Sequence, residues 1–430
     1  MKQIQEYLTP VTDCACGTQH TCPIRHVSIG ENATKDLADI TKGFHSILLV
    51  ADENTWNAAK EKVLPHLSDR AFTSLIYPAD GGFLVPDEKA IATLEEAVTP
   101  ETDLILGIGS GVINDLCKYV SFLRRLPYAI VATAPSMDGY ASVGAAMIIG
   151  GMKITYNAHV PMAIVGDTDI LKNAPMDMIR SGFGDVVGKY SCLSDWKLAK
   201  ELRNEYFCPF VYGMTMEMVE KTVSLAEGLM KRESAAVTAL MEALVGVGIA
   251  MAYVGNSRPA SGSEHHLSHY FEIVGILRKE PYFHHGIDVG YSTLTTAKMR
   301  EEILSLPAPK EGAPFHRDLW ENAIRRIYGS AAEGVIALQD KLGWYREDMM
   351  PVYREKWDTV RQILSEVPSE KELTEILSSV GFTREEYEAE YSEEKRKDAA
   401  FYAKDLKDRY TVLWLYDTLF RHYEGEAIAE

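Results

Sequence analysis

Five histidines lie between positions 265 and 285 of this 430-residue chain, which contains twelve in all. His265 and His269 are four residues apart, so on a helix they share one face while His266 points away. His284 and His285 follow. Two imidazoles and one carboxylate suit a divalent transition metal that keeps an open coordination position. Although a lone histidine is more often structural, the clustering predicts a metal or catalytic site.

A carboxylate for such a site is available in a glycine-rich segment further towards the N-terminus. Asp185 follows Gly182-Phe183-Gly184 and precedes Lys189 by four residues, so the two charged side chains share a helix face. An ordinary surface ion pair would explain Asp185 if it stood alone. Together with the histidine cluster, it becomes a candidate metal ligand that a Lewis-acid mechanism could use.

A second kind of chemistry is indicated where the apolar run Leu104–Ile108 ends. The glycines of Gly107-Ile-Gly-Ser-Gly111 would let the backbone approach a pyrophosphate, and the helix that follows would offer unpaired N–H groups and a positive dipole end. The pattern is not the GxGxxG fingerprint of dinucleotide-binding proteins. A tight turn between strand and helix, without a ligand, is the alternative interpretation.

Polar side chains also follow two other apolar runs. Asp52 comes directly after Ser46–Ala51, where a carboxylate can accept hydrogen bonds from a ribose or can simply cap a helix. Thr133–Ser142 follows Tyr128–Ala132 and contains hydroxyls, a carboxylate and a glycine. This segment is either a cofactor and substrate loop or a plain polar loop.

Three of the six cysteines lie near the N-terminus, close to a histidine. Cys14, Cys16, His20 and Cys22 could bind zinc, but their spacing is not that of a standard zinc knuckle, and a reduced hairpin is the alternative. The other three cysteines are expected to be buried structural thiols. Six cysteines are too few for a disulfide scaffold of this size, so we expect reduced thiols and a cytoplasmic location.

The elements that position these residues follow from the apolar pattern. Short, uniformly apolar runs alternate with helical patterns over the first ~165 residues, as in a parallel sheet buried on both faces. Amphipathic and apolar helices dominate afterwards. The predicted fold is an α/β N-terminal domain with a Rossmann-like, mostly parallel sheet, followed by an all-α metal-binding domain. The predicted domains are residues 1–170 and 171–430.

Composition excludes several function classes. The formal charge of −18 argues against nucleic-acid binding, which would need a basic face. We find no apolar run of about 18 or more residues, so no membrane span is predicted. The N-terminal Met1-Lys-Gln-Ile-Gln-Glu-Tyr7 lacks the apolar stretch of a signal peptide.

Taken together and in this order, the motifs resemble those of the iron-containing alcohol dehydrogenase and dehydroquinate synthase superfamily. Within it, the chain is most similar to the sn-glycerol-1-phosphate dehydrogenases, the bacterial form in particular. The resemblance covers roughly residues 20 to 300. It is carried by the segments Gly109-Ser-Gly-Val-Ile-Asn-Asp115, Thr133-Ala-Pro-Ser-Met-Asp-Gly139, Gly182-Phe-Gly-Asp185, Ser261-Gly-Ser-Glu-His265 and His285-Gly286.

The resemblance implies a role for each matching residue. Asp185, His265 and His285 would bind the metal, with His284 the neighbouring alternative to His285. Asp138 and His269 would be the catalytic residues and would contact the substrate together with Asp185. The cofactor-binding residues would be Asp52, Gly109, Ser110, Gly111, Val112, Ile113, Asn114, Asp115, Thr133, Ala134, Pro135, Ser136 and Ser142.

The implied reaction is the reduction of dihydroxyacetone phosphate to sn-glycerol 1-phosphate. NADH or NADPH would deliver the hydride and one divalent metal (zinc, nickel or iron) would polarise the ketone oxygen. Lys189, Arg258 and His269 are candidate contacts for the substrate phosphate. Glycerol dehydrogenase or another polyol dehydrogenase of the superfamily is the alternative, and a non-catalytic nucleotide-binding protein is a further one. A homodimer is expected as the commonest soluble assembly.

Overall fold

The computed structural model describes residues 4–79, 84–150 and 152–422. We predict no signal peptide in the N-terminal segment 1–7, and the first three residues of that segment lie outside the described range. The chain forms two compact units, each built from two stretches of sequence. Met1–Val186 and Phe210–Asn256 form the first, and Val187–Pro209 and Ser257–Glu430 form the second. The division expected from the sequence is contiguous, whereas these two units alternate along the chain.

The first unit contains a six-stranded parallel sheet and a separate antiparallel hairpin. The sheet order is β1-β8-β5-β4-β2-β3, and β6 pairs with β7. The strands are β1 His26–Gly30, β2 Ile47–Asp52, β3 Phe72–Tyr77, β4 Leu104–Gly109, β5 Tyr128–Ala132, β6 Gly144–Ile149, β7 Met152–Asn157 and β8 Ala163–Asp167. The five apolar runs correspond to β2, β3, β4, β5 and β8, so the predicted parallel sheet is confirmed.

The first unit also contains helices, several of which pack against this sheet. Their bounds are Leu37–Ile40, Glu53–Val63, Glu88–Ala97, Gly111–Arg124, Thr168–Leu171, Met176–Val187, Pro209–Ser224, Ala226–Met230 and Ser234–Val254. Met176–Val187 ends, and Pro209–Ser224 begins, one residue beyond the first unit. The core consists of aliphatic side chains from the central strands, and Leu49, Leu106 and Val131 are completely buried in it.

Ser234–Val254 is long and apolar enough to cross a membrane by length and composition alone, which the search for apolar runs did not predict. However, 72% of its most apolar window is buried inside the protein. A helix that is apolar on all sides is also typical of a protein core. Here it packs against the loop helix Asp138–Ala141, where a Cβ on Gly248 would come within 2.6 Å of the Ala141 Cβ.

The second unit is helical, as predicted. Its helices are Lys189–Arg203, Ser263–Arg278, His285–Ser305, Arg317–Tyr328, Ala332–Leu342, Met350–Glu355, Trp357–Leu364, Glu370–Ser378, Arg384–Glu390, Glu393–Tyr402 and Val412–Phe420. Ser369 and Glu372 form a capping box, and Thr383 accepts from the Glu386 N–H. Two clusters of apolar and aromatic side chains hold these helices together.

Candidate functional site

The glycine-rich turn lies at the point where the direction of strand addition reverses. β2 lies between β3 and β4. From β2 the chain continues to β3 on one side, whereas from β4, on the other side of β2, it continues outwards to β5. In parallel α/β sheets, ligands bind at the carboxyl ends of the strands at such a switch point. β4 ends at Gly109, Ser110 is the N-cap, and the helix begins at Gly111. Among the described residues, no side chain caps this helix.

Two glycines of β4 are required by packing. A Cβ on Gly109 would come within 2.5 Å of the Ile113 Cβ, and one on Gly107 would come within 3.0 Å of the Cys117 sulfur. These contacts hold the helix start close to the end of β4. The first helical N–H groups, which include those of Val112 and Ile113, therefore lie at the carboxyl edge of the sheet, where an anion can bind.

Asp52 lies at the end of β2, beside β4, because Ala51 is paired with Ile108. Its Oδ1 accepts a hydrogen bond from the Thr55 N–H at 2.9 Å, and Thr55 Oγ1 accepts from the Asp52 N–H at 3.1 Å. Asp52 is thus the N-cap of Glu53–Val63 in a capping box. A ribose contact would come in addition to this structural role.

Asn114 and Asp115 lie in the helix Gly111–Arg124, and their side chains point into the protein. Asp115 Oδ2 accepts from the Ala146 N–H of β6 at 3.0 Å, and its Oδ1 lies 3.4 Å from Lys118 Nζ. Lys118 donates to the carbonyls of Gly139 and Gly144. Burial lowers the pKa of Lys118, although Asp115 opposes this shift. Asp115 and Lys118 therefore tie the hairpin and the Thr133–Ser142 loop to the glycine-rich helix.

The Thr133–Ser142 loop begins beside the glycine-rich turn, since the Thr133 N–H donates to the Gly109 carbonyl at 3.1 Å. Inside the loop, Tyr140 OH donates to the Ala134 carbonyl and Ser142 Oγ donates to that of Gly139. The loop is thus closed on itself, and its first residues lie next to the turn that is expected to hold the cofactor.

The same loop is attached to the helix that carries Asp185. Ser181 Oγ donates to the Ser136 carbonyl at 3.0 Å, and the Asp138 N–H donates to Asp185 Oδ2 at 3.0 Å. Gly182 is in such close contact that a Cβ there would lie 1.9 Å from the Pro135 oxygen. Asp185 is completely buried. The structure therefore joins Asp138, Asp185 and the candidate cofactor loop in one unit.

Three histidines of the second unit converge, and two of them are the pair whose helical spacing predicts a shared face. The His265 and His285 ring centroids are 5.0 Å apart, and His269 lies 6.2 Å from the first and 5.4 Å from the second. His285 is the first residue of its helix. His266 faces away into the core, where neither ring nitrogen has a partner among the described residues. His284 is exposed, so His285 is the residue that joins the other two rings.

Glu264 positions His265, and the residue types did not reveal this role. Its Oε1 accepts hydrogen bonds from the Gly262 N–H at 2.8 Å and from His265 Nδ1 at 2.6 Å, and both side chains are buried. Burial would raise the pKa of Glu264, but these bonds and the charge of Lys189 together lower it. A carboxylate directly before a candidate histidine ligand was the available signal.

His269 is close to a carboxylate of its own helix. Its Nδ1 lies 3.7 Å from Glu272 Oε2, and donor atoms of His269, Glu272 and His285 all lie within 4.8 Å of one another. The pKa of His269 is well below its usual value, first because of burial and then because of Lys407, while Glu272 acts in the opposite direction. His269 is therefore neutral at pH 7.

The candidate phosphate contacts differ in what they are bonded to. Arg258 is buried and forms a two-pronged ion pair with Glu205, and it also donates to the Tyr410 carbonyl. Lys189 is buried and donates to the Ala260 carbonyl at 2.9 Å. The charge of Arg258 is thus already balanced inside the second unit, which argues against its expected role.

The chain is similar to several known proteins. The family described as iron-containing alcohol dehydrogenase matches residues 28–175. A protein named glycerol-1-phosphate dehydrogenase [NAD(P)+] from Halalkalibacterium halodurans is 30% identical over 94% of this chain and 95% of its own length. One of the same name from Geobacillus stearothermophilus is 34% identical over 67% and 73%. The structure of an iron-containing alcohol dehydrogenase from Thermococcus thioreducens matches with a TM-score of 0.58 at 16% identity, covering 94% of this chain and all of that one.

Proposed function

Because the chain belongs to the glycerol-1-phosphate dehydrogenase family, we propose that it reduces dihydroxyacetone phosphate to sn-glycerol 1-phosphate. The reaction consumes one NADH or NADPH and one proton and releases the oxidised cofactor. The observation that carries the proposal is the cluster of His265, His269 and His285, in which Glu264 orients His265. It provides the imidazole ligands that a metal-dependent dehydrogenase needs, and it occurs in a chain with curated relatives of that activity.

The metal ligands in this proposal are Asp185, His265 and His285. The fit of the histidines is supported by the hydrogen bond from His265 Nδ1 to Glu264, because it fixes the tautomer and leaves Nε2 as the ligand atom. Zinc, nickel and iron(II) all accept one carboxylate and two imidazoles. A bound divalent ion would supply Lewis-acid polarisation of the substrate's ketone oxygen.

The cofactor would bind at the carboxyl edge of the sheet in the first unit. The uncapped helix start at Gly111 would hold the pyrophosphate, and Asp52 would accept a hydrogen bond from the adenosine ribose. Thr133–Ser136 and Ser142 would line the remainder of the site. Nicotinamide supplies the hydride, and the role of these residues is to hold and orient it.

Asp138 and His269 would contact the substrate. The Asp138 N–H donates to Asp185, so the backbone of this residue is fixed beside a proposed metal ligand. A neutral His269 can donate a hydrogen bond from one ring nitrogen and accept at the other, which suits a hydroxyl or a phosphate oxygen. It would bind as a hydrogen-bonding group and would contribute no positive charge.

The proposal also covers the location, the partner and the assembly of the enzyme. None of the six cysteines is in a disulfide, which supports a reducing, cytoplasmic location. The partner is a small phosphorylated triose, with no nucleic acid, and the assembly proposed is a homodimer.

The test is a turnover assay on metal-stripped protein to which zinc, nickel or iron(II) is added back. Oxidation of NADH and NADPH is followed with dihydroxyacetone phosphate, and the product is offered to a stereospecific sn-glycerol-3-phosphate dehydrogenase. We expect metal-dependent turnover to a product that this second enzyme does not use. Turnover with glycerol or another polyol but not with the ketose phosphate would contradict the proposed substrate and favour a polyol dehydrogenase.

A further inference from the structure

The N-terminal cysteine segment folds into a tight hairpin within the first unit. Val11 and His20 exchange two backbone hydrogen bonds of 2.9 Å. Between them, the Gly17 N–H donates to the Cys14 carbonyl at 2.9 Å, and Gly17 has a φ of +80°, which favours glycine. This turn brings the side chains of Cys14 and Cys16 towards His20.

Three soft metal-binding atoms meet at this hairpin. The sulfurs of Cys14 and Cys16 and a ring nitrogen of His20 lie within 4.8 Å of one another. Cys16 Sγ is 3.3 Å from His20 Nε2. Cys22, which the sequence also suggested as a ligand, is not in this group. The structure thus brings three of the four candidate residues together.

His20 is held in the orientation that a metal ligand requires. The side chain is completely buried, and its ring lies 5.4 Å from that of Tyr253 and 6.2 Å from that of Phe210. Nδ1 is 3.0 Å from the Tyr253 carbonyl oxygen. Because a carbonyl can only accept, Nδ1 carries the proton, and the lone pair of Nε2 points to the thiols. A ligating histidine is usually fixed by such a second bond.

We propose that Cys14, Cys16 and His20 bind one zinc ion, separate from the metal proposed for the active site. Two thiolates and an imidazole are a typical zinc donor set, and a structural site has four donors in all, of which these are three. A hydrogen bond from Cys16 to His20 would account for that pair alone, but not for the arrival of the Cys14 sulfur at the same point. Binding would release the thiol protons to solvent.

Such an ion would have a structural role. His20 is bonded to Tyr253, which lies in the core helix Ser234–Val254, so the metal would fasten the N-terminal hairpin to the centre of the first unit. The ion would stabilise the folded state, because the unfolded chain holds no preformed site.

The experiment uses the full-length protein reconstituted with cobalt(II), since only cobalt bound to thiolate gives the near-ultraviolet charge-transfer band. The ligands proposed for the active site contain no thiolate, so that metal does not contribute. We expect the band in the unaltered protein, in Cys22→Ser and in His265→Ala, and its loss in Cys14→Ser and Cys16→Ser. Zinc content should fall by one ion per chain in Cys14→Ser and Cys16→Ser and stay unchanged in Cys22→Ser.

A second measurement needs no variant. Iodoacetamide labelling, mapped by mass spectrometry, should reach Cys14 and Cys16 only after zinc has been removed with a chelator. Cys22 provides the internal control, because it lies outside the proposed donor set, so its labelling should be the same with and without zinc. Absence of the cobalt–thiolate band in the unaltered protein, or equal labelling of Cys14 and Cys16 with and without zinc, would overturn the proposal.

Discussion

Glu264 Oε1 and His265 Nδ1 are separated by 2.6 Å inside the second unit. The same carboxylate oxygen also accepts the Gly262 N–H at the start of the helix. The position of the imidazole is thereby set by the helix that carries it. A carboxylate behind a ligating histidine fixes the ring and makes its other nitrogen more basic.

Replacement of Glu264 should therefore weaken metal binding. Glu264→Gln keeps an oxygen for the hydrogen bond but removes the negative charge, so we expect metal affinity to fall about 10- to 100-fold, as for other outer-shell partners of metal ligands. The measurement is competition with a chromogenic chelator. Glu220→Gln, on an exposed part of another helix, is the control. Unchanged affinity in Glu264→Gln would show that the contact has no role in binding.

Gly182 should not tolerate even a methyl group. The Cβ of Gly182→Ala would lie 1.9 Å from the Pro135 carbonyl oxygen, so the Thr133–Ser142 loop must move. We expect a loss of about 1–3 kcal/mol in the free energy of unfolding, as in other overpacked sites, together with a lower kcat/KM. Denaturant unfolding and steady-state kinetics measure the two effects.

Gly213 provides the matched control for this substitution. It lies within the helix Pro209–Ser224, and nothing lies within 4 Å of the position that an added methyl group would occupy. Gly213→Ala should be neutral or stabilising by up to about 1 kcal/mol, because alanine is the better helix former. Equal effects at Gly182 and Gly213 would contradict the importance of the contact with Pro135.

Arg258 should matter for stability more than for substrate binding. Arg258→Ala leaves Glu205 and the Tyr410 carbonyl without their donor, so we expect a loss of about 1–3 kcal/mol in the free energy of unfolding and no selective increase in KM for dihydroxyacetone phosphate. Arg317→Ala, in an exposed ion-pair network, should reduce stability much less, because solvent screens exposed ion pairs. A large KM effect with unchanged stability would instead favour Arg258 as a phosphate ligand.

Asp52 allows its capping and cofactor roles to be separated. Asn is as good an N-cap as Asp, so Asp52→Asn should change stability by less than about 0.5 kcal/mol. If Asp52 contacts the ribose, KM for NADH should rise and the preference between NADH and NADPH should shift towards NADPH, since a charge that repels a 2′-phosphate is gone. Initial-rate kinetics with both cofactors provide the test.

The control for Asp52 is another aspartate in the same structural role. Asp87 caps the helix Glu88–Ala97 through a 2.9 Å bond from the Ala90 N–H. Asp87→Asn should alter neither stability nor the KM for either cofactor. A cofactor effect of the same size at both positions would rule out a specific contact by Asp52.

The central strands were predictable because a strand buried on both faces is apolar at every position. β1 was missed because only Val27 of His26–Gly30 is fully buried and the segment shows no apolar run. The β6–β7 hairpin was missed for a related reason, since the described part of β6 alternates between buried and half-buried residues. Partial burial leaves a weak signal in the sequence.

The sequence by itself determined the fold class, the order of the motifs and the helical spacing of His265 and His269, because these depend on local periodicity and on residue type. Only the tertiary structure decided which of several chemically suitable groups are already bonded to others. It paired Arg258 with Glu205, put Glu264 behind His265, and brought Cys14 and Cys16 but not Cys22 to His20. Such pairings join residues from separate segments or depend on the exact direction of a side chain, and no local pattern specifies either.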